Sequence, residues 1–169
     1  ELQAYSLAWS LDGRYLAGGH KVLEVRDAAT GQQVFRDSGF KDLIGDVDFD
    51  AAGRLVAADR DASIRVYDRD FRLLAKRVMD PPGAIMSVRF SPDGSRIAAA
   101  SFTRPWVVVL SAPDLADIVR LGDNWPSASV AWTPAGVLRV AAWRQAAWVE
   151  LVPGGAPRVQ VRPTLFQGG

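Results

Sequence analysis

The sequence predicts an all-β protein made of four similar units, and two features carry this prediction. Four aromatic residues, spaced 40, 41 and 42 residues apart, each end a short run in which apolar and polar side chains alternate. Each of them is followed four residues later by glycine. The four pairs are Trp9 with Gly13, Phe49 with Gly53, Phe90 with Gly94, and Trp132 with Gly136. A period near 40 residues with four short strands per unit is typical of a propeller blade or a related array, because one unit cannot bury both faces of its sheet alone.

The third unit has the clearest β-hairpin pattern. Its side chains alternate from Ile85 to Phe90, Pro92-Asp93-Gly94 supplies the turn, and a second apolar run extends to Ala100. Each unit repeats this hairpin and continues into a third and a fourth strand. The predicted third strands are Val22–Arg26, Ile64–Tyr67, Trp106–Leu110 and Ala147–Leu151. We therefore expect sixteen strands in four four-stranded antiparallel blades.

The four repeats span about 4–38, 44–79, 85–121 and 127–161, within one domain over residues 1–162. The C-terminal tail, 163–169, contains Leu-Phe-Gln-Gly-Gly, which resembles a picornaviral protease site used in expression vectors. This resemblance leaves both a native and a vector origin open, so we exclude the tail from fold reasoning. The chain begins with Glu1 and not with Met, which predicts a processed product or an excised fragment.

Three short motifs resemble the WD-repeat family of β-propellers. Ser91-Pro92-Asp93-Gly94 matches the hairpin turn of that family, and Val66-Tyr67-Asp68 and Val25-Arg26-Asp27 are close to its Trp-Asp strand ending. The resemblance covers about residues 4–161, and it implies propeller blades that bind other proteins. The Gly-His pair that normally precedes each repeat is absent. In that family the His forms a hydrogen-bonded set with an Asp, a Ser or Thr and the Trp of each blade. Only Asp61 and Ser63 match other members of this set, so we expect blades held mainly by apolar packing.

Ring closure is the main structural question that the resemblance raises. WD-repeat propellers usually have seven or eight blades and close through a strand from the other end of the chain. Here each unit supplies its own last strand, with Arg158–Val161 in the fourth, so the outer faces of the first and last blades would be exposed. Two copies could form an eight-bladed ring, or further repeats of a longer parent could complete it. Closure as four blades is the third possibility.

Composition excludes several classes of function. The net charge of +1 gives no general attraction to nucleic acid or to an anionic membrane. The absence of cysteine excludes disulfides and thiolate chemistry, and no apolar stretch approaches the roughly 20 residues that span a bilayer. We therefore expect neither nucleic-acid nor membrane partners, and a cytoplasmic location.

Candidate catalytic residues are sparse. His20, the only histidine, lies in a predicted link between strands and has no partners for a metal site or a Ser-His-Asp relay. No phosphate-binding loop or calcium-binding loop occurs in the chain. The sequence therefore predicts no catalytic residue, no cofactor and no metal.

Three carboxylates alternate along one predicted strand, at Asp46, Asp48 and Asp50. Alternation places them on one side of the strand, near the axial channel of a propeller. Asp48 and Arg89 occupy equivalent positions in consecutive repeats, so we expect an ion pair between them. The alternative is a bound hard cation such as calcium.

A set of aromatic and arginine residues lies in predicted loops. Propeller loops that join consecutive blades, and loops that join the second strand to the third, emerge on the same face. We therefore expect this set to contact a protein or peptide, because aromatic residues and Arg anchor interfaces. The set is Phe40, Phe102, Arg104, Trp125, Trp143 and Arg144. The alternative is that these side chains cover neighbouring blades.

These features predict a non-catalytic scaffold that binds a protein or peptide with one loop face. The alternative from another class is a small-ligand or metal sensor, or an enzyme, that uses the axial channel at Asp46, Asp48 and Arg89. A third possibility is that these blades are spacers in a large multidomain receptor.

Overall fold

A computed structural model describes residues 4–112, 114–121, 125, 128–142, 145–151 and 157–163. Every regular element in these residues is a β-strand, and the sixteen predicted strands are confirmed. The strands are β1 Ser6–Trp9, β2 Tyr15–Gly19, β3 Leu23–Asp27, β4 Gln33–Asp37, β5 Ile44–Phe49, β6 Leu55–Asp59, β7 Ser63–Tyr67, β8 Leu73–Val78, β9 Ile85–Phe90, β10 Arg96–Ser101, β11 Val107–Ser111, β12 Asp117–Leu121, β13 Ser129–Trp132, β14 Leu138–Ala142, β15 Gln145–Glu150 and β16 Arg158–Pro163. None of the described residues belongs to a helix that could cross a membrane.

The strands form four antiparallel sheets in which each strand pairs with its neighbours along the chain. Sheet 1 contains β1–β4, sheet 2 contains β5–β8, sheet 3 contains β9–β12 and sheet 4 contains β13–β16. The predicted fold class, an all-β array of four four-stranded antiparallel blades, is therefore confirmed. The third strands begin and end within two residues of their predicted bounds.

The predicted hairpin turns form for the expected chemical reasons. In sheet 3 the Gly94 N–H donates to the Ser91 carbonyl (2.8 Å), and Gly94 has a φ of 68°, which favours glycine. Asp93 accepts hydrogen bonds from the Ser91 hydroxyl (2.6 Å) and the Ser95 N–H (3.0 Å). These bonds lower the pKa of Asp93 to about 2, so the carboxylate stays ionised and holds the turn. The glycines of the other three hairpin turns also have positive φ.

Alternating residues on each strand face the preceding and the following sheet, as the period of two requires. In β10, Ile97 and Ala99 pack in the cluster shared with sheet 2, whereas Ala98 and Ala100 pack in the cluster shared with sheet 4. A third cluster lies between sheets 1 and 2. Apolar clusters thus fill all three junctions between sheets.

The array is open at both ends in the part of the chain that the structure describes. Leu7 and Trp9 in β1 occupy the positions that Val88 and Phe90 occupy in β9, because each pair faces β2 or β10 in the same register. Val88 and Phe90 are buried, whereas Leu7 and Trp9 are each 58% exposed. Sheet 1 therefore has the side chains of a blade junction but no preceding sheet to cover them.

Candidate functional site: the inner strands and one loop face

The first strands of consecutive sheets are joined by a repeated side-chain hydrogen bond. In each of the first three sheets, a Ser or Asp near the start of the first strand accepts the N–H of a valine in the next sheet. The three bonds are Val47 N–H to Ser6 Oγ (3.3 Å), Val88 N–H to Asp46 Oδ2 (2.9 Å) and Val130 N–H to Ser87 Oγ (3.1 Å). We call the four equivalent residues Ser6, Asp46, Ser87 and Ser129 the inner-strand belt. The hydrogen bonds of the belt fix the relative position of consecutive sheets.

Arg89 pairs with Asp46, so the predicted Asp48–Arg89 ion pair is wrong in its acidic partner. The Arg89 guanidinium contacts the buried Asp46 carboxylate and also donates to the carbonyl of Val88 (2.6 Å). Asp48 instead accepts the N–H of Phe90 (2.8 Å). Each carboxylate accepts a backbone N–H of β9, so the difference lies in the Arg89 side chain, which folds back along its own strand and there meets Asp46.

The pKa of Asp48 is raised from 3.8 to about 6. Burial is the main cause, and the negative charge of Asp46 adds to it. The hydrogen bond from the Phe90 N–H and the charge of Arg89 act in the opposite direction without cancelling the effect of burial. Asp48 is therefore the inner-strand carboxyl group whose charge changes near neutral pH.

The three alternating carboxylates do not form one acidic site. Asp50 is held in its own turn, where it accepts the N–H of Arg54 (2.8 Å) and the Arg54 guanidinium (2.7 Å). Arg89 contacts Asp46, so a cation there would have to displace an existing partner. Within the described ranges, no group of three or more His, Cys, Asp or Glu residues is arranged to hold a metal ion.

The loops between consecutive sheets and the loops between second and third strands meet on one face. The Arg60 N–H donates to the Leu43 carbonyl (2.9 Å), and the Phe102 N–H donates to the Ala84 carbonyl (2.8 Å). Between them lies an open groove of about 580 Å³. It is lined by Asp42, Arg60, Asp61, Pro82, Gly83, Ala84, Thr103 and Arg104. We call it the loop groove.

The predicted partner-binding residues divide into two groups. Phe102 is 54% exposed, and Arg104 is exposed and lines the loop groove. Phe40 and Trp125 are buried, with exposed fractions of 8% and 6%. Phe40 lies under the guanidinium of Arg65, 4.2 Å from its ring centroid, in the cluster between sheets 1 and 2. Trp125 packs between sheets 3 and 4, so both buried rings cover blades and offer a partner little surface.

Two other predicted residues, Trp143 and Arg144, lie outside the described residues. Among the groove residues, sequence reasoning missed Asp42, Arg60, Asp61 and Thr103. The sequence indicates these four residues only by their position, because they lie in the same classes of loop as the predicted partner-binding residues. His20 stacks on Tyr5, with ring centroids 5.0 Å apart, which fits its interpretation as a loop residue.

A polar network ties the outer strand of sheet 1 to sheet 2. The Tyr67 hydroxyl and the Arg65 guanidinium both donate to Asp37, and Arg65 also donates to the Gly39 carbonyl. Burial raises the pKa of Asp37, but the hydrogen bonds from Tyr67, the Gly39 N–H and Arg65 outweigh it, so the net pKa is lowered. Burial and the bond to Asp37 raise the pKa of Tyr67.

The hydrogen-bonded set that the WD-repeat resemblance implied forms differently. Asp61 lies on the loop face, 3.7 Å from Lys41. Asp59 is the buried carboxylate, and it accepts the N–H of Ser63 (2.8 Å). Burial raises the pKa of Asp59 against the effect of its backbone donors.

Comparisons with known proteins agree with this architecture. The sequence profile of the family described as "WD domain, G-beta repeat" (WD40) matches residues 76–103. The fold is similar to a chain in "Crystal Structure of Mitotic Checkpoint Complex", with a TM-score of 0.78 and 16% sequence identity. That match covers 89% of this chain and 48% of the other, so this chain spans about half the length of its structural relative. A search of curated proteins found no match.

The described sheets therefore have the fold of a WD-repeat-type β-propeller array, and the profile match over residues 76–103 confirms the resemblance seen in the sequence. The profile match covers the end of β8, the last strand of sheet 2, and the first hairpin of sheet 3. At 16% identity, the similar structure shows the fold alone.

Proposed function

We propose that this protein is a non-catalytic scaffold that binds a protein or peptide at the loop groove. WD-repeat propellers generally mediate protein–protein interaction, and the similar chain comes from a structure titled as a complex. The observation that carries the proposal is the groove itself, which four loops of sheets 2 and 3 form beside the exposed Phe102. Loops on a rigid scaffold are where binding residues concentrate.

The chemistry of the loop groove indicates what kind of peptide would fit. Arg60 and Arg104 have no ion-pair partner among the described residues, and of the two lining carboxylates Asp61 is near Lys41, which leaves Asp42 alone against two guanidinium groups. Arg donates paired hydrogen bonds to a carboxylate, and the Phe102 ring offers apolar area. We therefore infer a partner segment with an apolar side chain next to an acidic one.

The axial-channel alternative has less support. Arg89 already contacts Asp46, and the Phe90 N–H occupies Asp48. A small ligand at the inner strands would have to replace contacts that join sheets 2 and 3, and losing these contacts would lower the stability of the fold.

A second interaction concerns the open faces of sheets 1 and 4, which we infer are covered by further blades of the same kind.

For the protein as a whole, we expect neither nucleic acid nor membrane among the partners, and we expect it to act in the cytoplasm. The near-neutral net charge of +1 supports the first of these expectations.

Peptide selection followed by calorimetry would test binding at the loop groove. Peptides selected from a random displayed library on the purified protein would be titrated into the wild type, Phe102→Ala and Arg104→Glu. We expect each variant to weaken binding by about 30-fold, equivalent to about 2 kcal/mol for a hot spot. Leu11→Ala is the matched control, because Leu11 is 73% exposed and lies in the β1–β2 turn at the opposite end of the sheet. Equal affinity for the wild type and both groove variants would overturn the proposal.

A further inference from the structure

The inner-strand belt ends with an acceptor and a donor that complement each other. Ser129 is its fourth residue, and no N–H of a following sheet reaches its hydroxyl within the described ranges. At the other end, the Leu7 N–H is equivalent to the N–H groups of Val47, Val88 and Val130, by the register of each inner strand with its neighbour. The two ends are therefore the two halves of a bond that occurs three times within the chain.

The open face of sheet 4 carries a groove that small side chains create. Its volume is about 360 Å³, and its floor includes Ala131, Ala141 and Ala146. The Arg139 guanidinium lies over the Trp148 ring, 4.6 Å from the ring centroid. In sheets 1 to 3, residues at these alternating positions face the next sheet. This groove is thus half of a blade junction.

The open face of sheet 1 carries the side chains that such a groove receives elsewhere in the array. Trp9 is equivalent to Phe90 and Trp132, which pack against the preceding sheet. The Trp132 indole N–H also donates to the Arg89 carbonyl (3.2 Å). Ala131 is equivalent to Arg89, since each faces the corresponding residue of the next strand. A Trp9 ring in the sheet 4 groove could therefore donate to the Ala131 carbonyl.

Each of the two open faces also carries a charged side chain that the junction would bring together. Glu24 points to the same open side of sheet 1 as Leu7, because its neighbours Leu23 and Val25 pack against sheet 2. Arg139 lies on the open side of sheet 4. Glu24 is paired with Arg26 of its own strand (3.1 Å), so Arg139 would join an existing ion pair, and charge adds little to the argument from the belt and from Trp9.

We propose that the open face of sheet 4 binds the open face of sheet 1 of a second copy of this chain. The belt then continues across the junction, with Ser129 Oγ accepting the Leu7 N–H of the other copy. Two such junctions, related by a twofold axis, close eight blades into one ring, which is within the range of known propellers. This inference rests on the proposed covering of the open faces and is independent of binding at the loop groove.

Cysteine pairs provide the test, because these 169 residues contain no cysteine. Ser87 and Ser129 have hydroxyl oxygens 3.5 Å apart in consecutive sheets, so Ser87→Cys with Ser129→Cys should form a disulfide within one chain. If the belt continues, Ser129 and Ser6 of the other copy are neighbours in the same way. Ser6→Cys with Ser129→Cys should then form disulfides between chains, and each single variant should form none.

The expected result is a covalent dimer of the Ser6→Cys, Ser129→Cys protein on a non-reducing gel, and a light-scattering mass of two chains for the wild type. Trp9→Asp should reduce that mass to one chain, whereas Leu11→Asp, in an exposed turn, should leave it unchanged. A wild-type monomer at micromolar concentration, with an internal bridge only in the Ser87→Cys control, would overturn the proposal and assign the open faces to blades from another segment. A ladder of longer polymers would overturn the closed dimer.

Discussion

Arg89 and Asp46 form an ion pair across the junction of sheets 2 and 3, although they occupy different positions in their repeats. The same carboxylate accepts the Ser6 hydroxyl of sheet 1 (2.7 Å) and the Val88 N–H of sheet 3 (2.9 Å). One buried side chain thus joins three consecutive sheets. This makes Asp46 the residue of the belt on which the geometry of the array depends most.

Replacing Asp46 by Ala should lower the free energy of unfolding by about 2–3 kcal/mol. The change leaves the buried Val88 N–H without an acceptor, which is the main cost. Arg89 also loses its counter-ion, but its side chain is 39% exposed, so water compensates part of that loss. Urea denaturation followed by circular dichroism would measure the effect. Asp42→Ala is the control, since Asp42 is exposed and, among the residues that the structure describes, accepts only the N–H of Leu43. Equal losses for the two variants would contradict the role assigned to Asp46.

Asp48 should make the protein less stable as the pH rises through 6. Its folded pKa of about 6 lies above the ordinary value of 3.8, so the folded state binds more protons than the unfolded state between these values. The stabilisation by the protonated form is complete below about pH 4 and is lost as the pH passes 6. Asp48→Asn keeps an oxygen acceptor for Phe90, and it should raise the free energy of unfolding at pH 7 by about 1–2 kcal/mol.

Unfolding at a series of pH values would measure this difference, which should vanish near pH 4. Asp93→Asn is the control of opposite sign, because the pKa of Asp93 is lowered to about 2 and its ionised form holds a turn. An Asp48→Asn protein that is less stable than the wild type at pH 7 would contradict the raised pKa.

Tyr67→Phe should cost about 1–2 kcal/mol, because it removes the donor to Asp37 from a buried network. Tyr15→Phe is the matched control, since no hydrogen bond of the Tyr15 hydroxyl occurs among the described residues. Thermal unfolding of both variants would compare them. If Tyr15→Phe costs as much as Tyr67→Phe, the Asp37 network does not stabilise the junction of sheets 1 and 2.

Gly45→Ala should destabilise the protein by about 2–3 kcal/mol through a steric clash. A Cβ at this position would lie 2.1 Å from the Ile85 carbonyl oxygen, which is backbone of the next sheet and cannot move aside easily. Gly31→Ala is the control, because φ is 71° there and nothing lies within 4 Å, so only backbone strain of about 1 kcal/mol is expected. Denaturation midpoints of the two variants should differ accordingly, and a smaller loss at Gly45 would contradict the close approach of sheets 2 and 3.

The strands could be predicted from the sequence because their signals are local. Alternation up to Phe90 and the Pro92-Asp93-Gly94 turn fix one hairpin, and the same pattern recurs in every unit. The partner of Arg89 could not be predicted in this way. Equivalent positions in two repeats do not report the direction in which a long side chain runs, and Arg89 folds back along β9 towards Asp46.

The loop residues show the same limit. The sequence placed Phe40 and Phe102 in loops of the same face, and both are aromatic. Phe40 is buried because Arg65, from a strand of sheet 2, reaches across and covers its ring. Exposure in a loop thus depends on long side chains of distant strands, and no local pattern reports these contacts.

The pairing of every strand with its immediate neighbours in the chain has a consequence for biosynthesis. A sheet that needs no strand from elsewhere can form as soon as its own residues have left the ribosome. Short loops between paired strands keep the entropy of closure low and favour rapid formation of each hairpin. Each new sheet could then pack against the folded face of the sheet translated before it. The array would therefore assemble in the order of translation, from its first sheet to its last.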